Sequence, residues 1–360
     1  MGRSTFSVSS YREARRDFGI THDVGVTRKA EQQARETGHL NEIVDPAINP
    51  MRMSKIRLDP HQKKWVATIG CPMDIEVSCD TTGSMGGEVD TEMRVLPDLY
   101  EAVANVLSGY DPQLCLGIFG DVSDKFVMCR PQFEMEAAKI VKYLKEMAPQ
   151  RDGGDYLEDP QYAMFARAYL TDAYTNRIGL KGYHFVVTDA PCHTKLSRSD
   201  IKRIFGKDIF DNELKNMHEV PTIDQMIKDL KKKTHQFILV VRSSETADFW
   251  RDLCGENSVI KIDSTSQLPE VISAIIGLTE GTVDITGIGQ HLGTSANSTL
   301  ISQLSKIDIG AQAKLRHEME HPVPKAGDIF MEKTDIWPIQ PGEDPGEEAS
   351  VEAENHIEYL

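Results

Sequence analysis

The stretch Met73-Asp74-Ile75-Glu76-Val77-Ser78-Cys79-Asp80-Thr81-Thr82-Gly83-Ser84-Met85 decides how this chain folds. Met73 to Cys79 alternates apolar and polar residues, the period of a β-strand. Asp80-Thr81-Thr82-Gly83-Ser84-Met85 follows as a short hydroxyl-rich turn. Beyond it, from Glu88 to Gly109, Val89, Met93, Leu96, Tyr100, Val103 and Leu107 recur at helical spacing, which predicts an amphipathic helix. Pro97 inside that run predicts a kink or a second helix start. Strand, turn and helix put the Asp80 carboxylate and the Thr82 and Ser84 hydroxyls at the carboxyl end of a strand. Oxygen-only ligands there suit a hard cation such as Mg²⁺.

Outward from this stretch, residues of about 70 to 280 alternate strand and helix patterns. Strands are predicted at Asp74–Cys79, Leu114–Phe119, Tyr183–Thr188, Phe237–Val241 and Val259–Ile262. Helices are predicted at Glu134–Met147, Leu157–Asp172, Thr222–Lys232 and Leu268–Leu278. Such alternation predicts an α/β fold, a doubly wound, mostly parallel sheet with helices on both faces. The runs at 185–187 and 237–241 are continuously apolar, as strands buried on both faces should be. The strand before Asp80 is different. Its alternation leaves one face polar, so Glu76 in a central strand requires a partner or a thin patch in the helical cover.

Residues 1–65 carry twelve Lys/Arg against eight Asp/Glu and few large apolar residues. They predict a flexible arm with one helix, Thr27–Thr37, or a segment that orders on a partner. Residues 281–340 form an extension, Gly/Ser/Thr-rich from Gly287 to Ser298, then helical from Thr299 to Ile307. From Pro341 the tail holds seven acidic residues and no basic one, a composition that predicts disorder over 341–360.

The net charge of −16 argues against nucleic acid and against an anionic membrane surface as partners. No apolar run approaches the roughly 18–20 residues of a membrane span. The start, Met1-Gly2-Arg3-Ser4-Thr5-Phe6, has no signal-peptide apolar region, and Phe6 stands where myristoylation wants Ser or Thr. Cys71, Cys79, Cys115, Cys129, Cys192 and Cys254 form no CxxC pair, and several sit in apolar strand patterns. That argues against zinc and a disulfide framework and for a reducing, cytoplasmic setting.

In an open α/β sheet, ligands bind beyond the carboxyl ends of the strands. Three acidic loops are expected there: Asp80–Ser84, Arg151-Asp152-Gly153-Gly154-Asp155, and Thr188-Asp189-Ala190-Pro191. Singly, Asp80 reads as a strand-end cap, Asp155 as a helix N-cap and Asp189 as a turn residue. Together and in order they read as a cation site.

On these residues the region of about 70 to 280 resembles a von Willebrand factor type A (VWA) domain. That family's metal-ion-dependent adhesion site uses an Asp-x-Ser-x-Ser loop, a Thr from a second loop and an Asp from a third. Asp80, Thr82 and Ser84 match the first loop, with Thr in place of the middle Ser, and Asp189 matches the third. Asp-Thr-Thr-Gly-Ser-Met, Gly-Gly-Asp and Thr-Asp-Ala-Pro together look most like the branch found beside alpha-kinase domains and in bacterial proteins. Gly117-Ile118-Phe119-Gly120-Asp121 resembles that branch's second strand and acidic turn.

The resemblance implies a non-enzymatic, metal-dependent protein-binding module holding Mg²⁺, with Mn²⁺ or Ca²⁺ as alternatives. Its partner would be another protein, reached through an acidic side chain on the metal; the sequence leaves oligomeric state open. The departure is Asp155, standing where the family's Thr is usual. An added carboxylate favours tighter cation binding and a weaker acidic ligand, or a structural metal that orders the loops. Ser84 and Thr82 are expected as direct ligands, with Asp155 a further candidate, and Asp80 and Asp189 acting through water.

Two other classes compete. Asp-Thr-Thr-Gly-Ser also resembles the phosphorylated loop of transport ATPases, which would make this a Mg²⁺-dependent phosphohydrolase with Asp80 as nucleophile. No Lys follows Asp80, however, and Gly120-Asp121-Val122-Ser123-Asp124 comes early and one residue short of that family's acidic loop. A nucleotide site would rest on Gly83, Gly86 and Gly87, without a full phosphate-loop pattern. His184 is expected as a hydrogen-bonded core histidine, Cys192-His193 as loop residues, and Lys231-Lys232-Lys233 as a solvated helix end.

Overall fold

The computed structural model describes residues 13, 16, 25–54, 57–59, 64–66, 71–135, 137–151, 156–319 and 329–331. Eleven strands lie among the described residues. They are β1 Arg52–Ser54, β2 Arg57–Asp59, β3 Lys64–Val66, β4 Cys71–Asp80, β5 Tyr110–Phe119, β6 Met128–Cys129, β7 Thr171–Ala173, β8 Gly182–Thr188, β9 Thr234–Val241, β10 Val259–Ile262 and β11 Ile329–Met331.

The main sheet has six strands in the order β10-β9-β8-β4-β5-β6. All its pairings are parallel except β5 with β6. The chain winds one way from β4 through β5 to β6, then the other way from β8 through β9 to β10. Helices cover both faces, so the fold is a doubly wound α/β sheet as the alternation predicted. The order reverses between β4 and β8, and a crevice at their carboxyl ends is where such sheets bind ligands.

Two apolar layers flank the sheet. Met73, Ile75, Val77 and Cys79 of β4 join Tyr183, Phe185, Val187, Leu239 and Val241 in one layer, under the helices Gly87–Ala104 and Leu268–Glu280. Val186, Ile238 and Val240 point into the other, with Phe165, Phe205, Met226 and Trp250 from four helices. The first helix runs through Pro97 as one element, with no second start.

All ten residues of β4 are buried, its polar face included. That face is matched by a buried polar layer rather than by solvent. Arg130 clamps Glu76 with two hydrogen bonds, Nε to Oε1 at 2.7 Å and a second from its guanidinium to Oε2 at 2.8 Å. Asp74 accepts from Arg167 and Thr175. Gly182 is needed beside them: a Cβ there would collide with the Asp74 carboxylate and the Arg167 guanidinium. Ser78 meets His184 at 3.3 Å, and His184 reaches Gln236 at 2.6 Å. The carboxylates of Asp74 and Glu76 are paired, while Arg130 Nη1 and Arg167 Nε and Nη1 make no hydrogen bond. The polar face of this central strand thus meets buried charged and hydrogen-bonding side chains instead of solvent.

Two expected helices are shorter than their sequence patterns. The helix expected over Leu157–Asp172 spans Gln161–Tyr169, because Pro160 occupies its N-cap and disfavours helical backbone in the residue before it. Asp172 falls in β7, which pairs in parallel with β1. The helix expected over Glu134–Met147 spans Ala137–Lys145, Glu134 being bridged to Leu114 instead. Helices at Arg198–Phe205 and Ser244–Cys254, unread in the sequence, each begin with a serine N-cap, Ser197 and Ser243.

Residues 25–54, taken with the arm on composition, pack onto the sheet domain. Ala34, Leu40 and Val44 belong to the first apolar layer, and Arg52 donates to the Arg130 carbonyl at 2.7 Å. Ile288, Leu292, Leu300, Leu304 and Ile307, beyond residue 280, join the same layer. The tail from Pro341 lies outside the described residues.

Candidate functional site

Asp80 ends β4 and is fully buried. Thr81 ties the turn to the neighbouring strand, its N–H and hydroxyl both donating to the Phe119 carbonyl. Thr82 folds back on Asp80: its N–H and its hydroxyl both donate to Oδ1, at 2.9 and 2.6 Å. Gly83–Met85 makes one 3₁₀ turn, and Gly86, at φ 51°, leads into the following helix. A left-handed φ at that junction favours glycine.

The second wall is the end of β8. The Thr188 hydroxyl donates to Asp80 Oδ2 at 2.7 Å. Asp189 accepts from the Ser84 hydroxyl at 2.7 Å. Its turn is fixed from behind by Thr246, which donates to the Asp189 carbonyl, and by the Trp250 indole, which donates to the Ala190 carbonyl. Asp80, Thr82, Ser84 and Asp189 are thus brought together as expected, with Thr188 as a fifth member. Asp155 lies outside the described residues. Its loop begins at Arg151, whose N–H donates to the Thr81 carbonyl at 3.0 Å and whose φ is 56°.

Thr82 donates to Asp80 and Ser84 donates to Asp189, and the two hydroxyl oxygens lie 3.2 Å apart, within hydrogen-bond reach of each other. Ser84 is exposed and Asp189 half-buried, which leaves the cluster open on that side.

The electrostatics are one-signed. Burial, with Asp189 nearby, raises the Asp80 carboxyl to about 6, against its hydrogen bonds from Thr82 and Thr188. Glu158 is pushed up to about 9 by burial and by Asp80, Asp121 and Asp189. Glu92, fully buried on the helix after the turn, is held well above the usual carboxylate range by burial and by Asp80, Glu88 and Asp189. Both Glu92 carboxylate oxygens and Glu158 Oε2 lack a hydrogen-bond partner. Among the described residues, no three His, Cys, Asp or Glu side chains are arranged to hold a metal ion. The donor set here is half hydroxyl.

Thr188, Glu92 and Glu158 carry this environment without having been read as site residues. Glu92 had a signal: three after Val89 and four before Leu96, it falls on the apolar stripe of its helix. Glu158 had none, because its segment was taken as helix. His184 is the core histidine expected, lowered to about 4 by burial. Cys192 is buried and His193 lies 3.2 Å from Asp159. The three lysines are more than a solvated end: Lys231 donates to the Cys254 carbonyl, and Lys233 to the Ala168 carbonyl at 2.6 Å. Both cap the carboxyl ends of neighbouring helices. All six cysteines are free and buried.

No family model matches the chain, and no curated protein matches it. Similar solved structures include the pilus adhesin SpaC from Lactobacillus rhamnosus GG in its open conformation. Identity is 12%, the match covers 59% of this chain and 31% of that one, and the TM-score is 0.39. Another is proximal thread matrix protein 1 from the mussel byssus, at 9% identity, 59% of this chain, 48% of that one and a TM-score of 0.37. Each match thus spans less than half of the neighbour. No helix among the described residues is long and apolar enough to cross a membrane.

Proposed function

We propose that the chain is a metal-dependent protein-binding module, with a divalent cation, Mg²⁺ first among them, held by Asp80, Thr82, Ser84 and Asp189. The observation that carries this is the convergence of two carboxylates and two hydroxyls from the turns after β4 and β8, linked by the Thr82–Asp80, Thr188–Asp80 and Ser84–Asp189 hydrogen bonds. Two carboxylates in one cluster repel one another, and a hard cation relieves that repulsion. Among the described residues no Lys or Arg forms an ion pair with Asp80, and the other charges acting on Glu92 and Glu158 are all acidic. The donor set therefore fits the ion: all oxygen, anionic, and fixed by two strand ends.

A bound Mg²⁺ supplies a Lewis-acidic position that a carboxylate or carbonyl oxygen of a partner protein can complete. The residues of the chain set the rest. Thr188 and Thr82 orient the two oxygens of Asp80, and Thr246 and Trp250 hold the Asp189 turn. Ser84 and Asp189 form the solvent-facing edge where a partner would approach. Resemblance to the VWA domain in the loops at Asp80 and Asp189 supports the same reading. Asp80 as a phosphohydrolase nucleophile is less favoured, since it is fully buried and both of its oxygens accept hydrogen bonds. Thermal unfolding of the full chain tests the proposal. Millimolar Mg²⁺ should raise the melting temperature by mass action, and Asp80→Ala or Asp189→Ala should fold yet lose the shift. A wild-type melting curve indifferent to Mg²⁺, Mn²⁺ and Ca²⁺ would sink it.

A further inference from the structure

Glu158 stands on an extended segment just before Pro160 and the helix Gln161–Tyr169. Its backbone is fixed on both sides. Its N–H donates to the Pro191 carbonyl at 3.0 Å, and its carbonyl accepts from His193 N–H at 3.1 Å. This pairing with the Cys192 segment stitches Glu158 to the loop that carries Asp189. The residue is 3% exposed, and its Oε2 makes no hydrogen bond. The groups acting on its carboxylate are Thr82, Asp80, Asp121 and Asp189.

A buried carboxylate oxygen without a donor costs free energy that folding must overcome. Here the backbone pairing holds the carboxylate beside Thr82, Asp80 and Asp189; the Thr82 hydroxyl reaches it, yet Oε2 itself receives no hydrogen. We propose that Glu158 is a further ligand of the cation held by Asp80, Thr82, Ser84 and Asp189, reaching it through one water. This rests on the cation-site reading and extends it. The segment after Arg151 then reaches the ion with the carboxylate of Glu158, three positions beyond Asp155. Acting through water behind the two carboxylates and two hydroxyls, Glu158 adds negative charge to the site, which lowers its appetite for an acidic partner residue.

The test is isothermal titration of the full chain with MgCl₂ and MnCl₂, beside apo melting temperatures. Wild type, Glu158→Gln, Glu158→Asp and Glu92→Gln are compared. Glu92 is an equally buried carboxylate that makes no hydrogen bond, so its neutralisation measures background charge alone. Glu158→Gln should lose about 10- to 100-fold in affinity while its apo melting temperature holds or rises. Glu158→Asp should fall between, and serves in place of Glu158→Gln if that variant does not fold. A Glu158→Gln affinity equal to wild type, or a loss no larger than that of Glu92→Gln, overturns the ligand role and leaves the cation site standing. A wild type that takes up neither ion overturns both.

Discussion

The Ser84 hydroxyl donates to Asp189 Oδ1 at 2.7 Å, joining two loops 105 residues apart in sequence. This bond crosses the point where the sheet order reverses. It brings the turn after β4 and the turn after β8 to one edge, with Ser84 exposed on it. Because Ser84 is exposed, Ser84→Ala should change unfolding free energy by no more than about 0.5 kcal/mol. The same change should weaken Mg²⁺ binding by about tenfold or more. Urea unfolding and calorimetry on one preparation separate the two effects. A large stability loss with unchanged Mg²⁺ affinity would make the bond a structural tie.

The polar face of β4 makes a second prediction. Arg130 and Glu76 are both buried and bound through two hydrogen bonds. Removing one charge strands the other, so Arg130→Met should cost about 3–5 kcal/mol. Glu76→Leu combined with Arg130→Met removes both charges and should recover most of that loss. A double variant as unstable as the single one would show that the pair matters less than the Thr171 contact that Arg130 also makes.

Gly182 and Gly289 predict opposite signs for the same substitution. A Cβ at Gly182 would meet the Asp74–Arg167 pair, so Gly182→Ala should destabilise by about 1–3 kcal/mol. A Cβ at Gly289 has Ile301 Cδ1 at 3.7 Å, an ordinary contact, inside the helix Ile288–Leu292. Gly289→Ala should therefore be neutral or stabilise by up to about 1 kcal/mol. Chemical denaturation midpoints compare the two, and equal losses at both sites would contradict the packing described.

His184 gives the pH dependence. Burial lowers it from 6.5 to about 4 in the folded chain. Between those values the unfolded chain binds a proton that the folded chain does not, so stability falls as the pH falls. The full span corresponds to roughly 3 kcal/mol. His184→Gln lacks this contribution, so the stability gap between wild type and variant should close as pH drops from 6.5 to 4. A gap constant over that range would mean that His184 is not held neutral.

The sheet was legible because its strands are regular. Val259–Ile262 was read to the residue, β5, β8 and β9 only gained residues at their starts, and β4 gained three at its start and Asp80 at its end. What sequence could not supply was the partner of Glu76. Arg130 follows a two-residue strand too short to show any period, and Arg167 sits on a helix whose start Pro160 displaced. The first and third site loops were legible because Asp80, Thr82, Ser84 and Asp189 follow strand patterns directly. Glu158 and Thr188 were not, because their roles depend on the β4–β8 register and on the pairing with Cys192, contacts between segments far apart in sequence.

Isothermal titration of the metal-stripped full chain with MgCl₂, wild type against Asp189→Ala, bears most directly on the cation site. Wild type should bind one Mg²⁺ per chain with a dissociation constant in the micromolar to millimolar range, about −8 to −4 kcal/mol. Asp189→Ala should keep its fold and show no saturable heat. Binding by both proteins alike, or by neither, would contradict a cation held between the ends of β4 and β8.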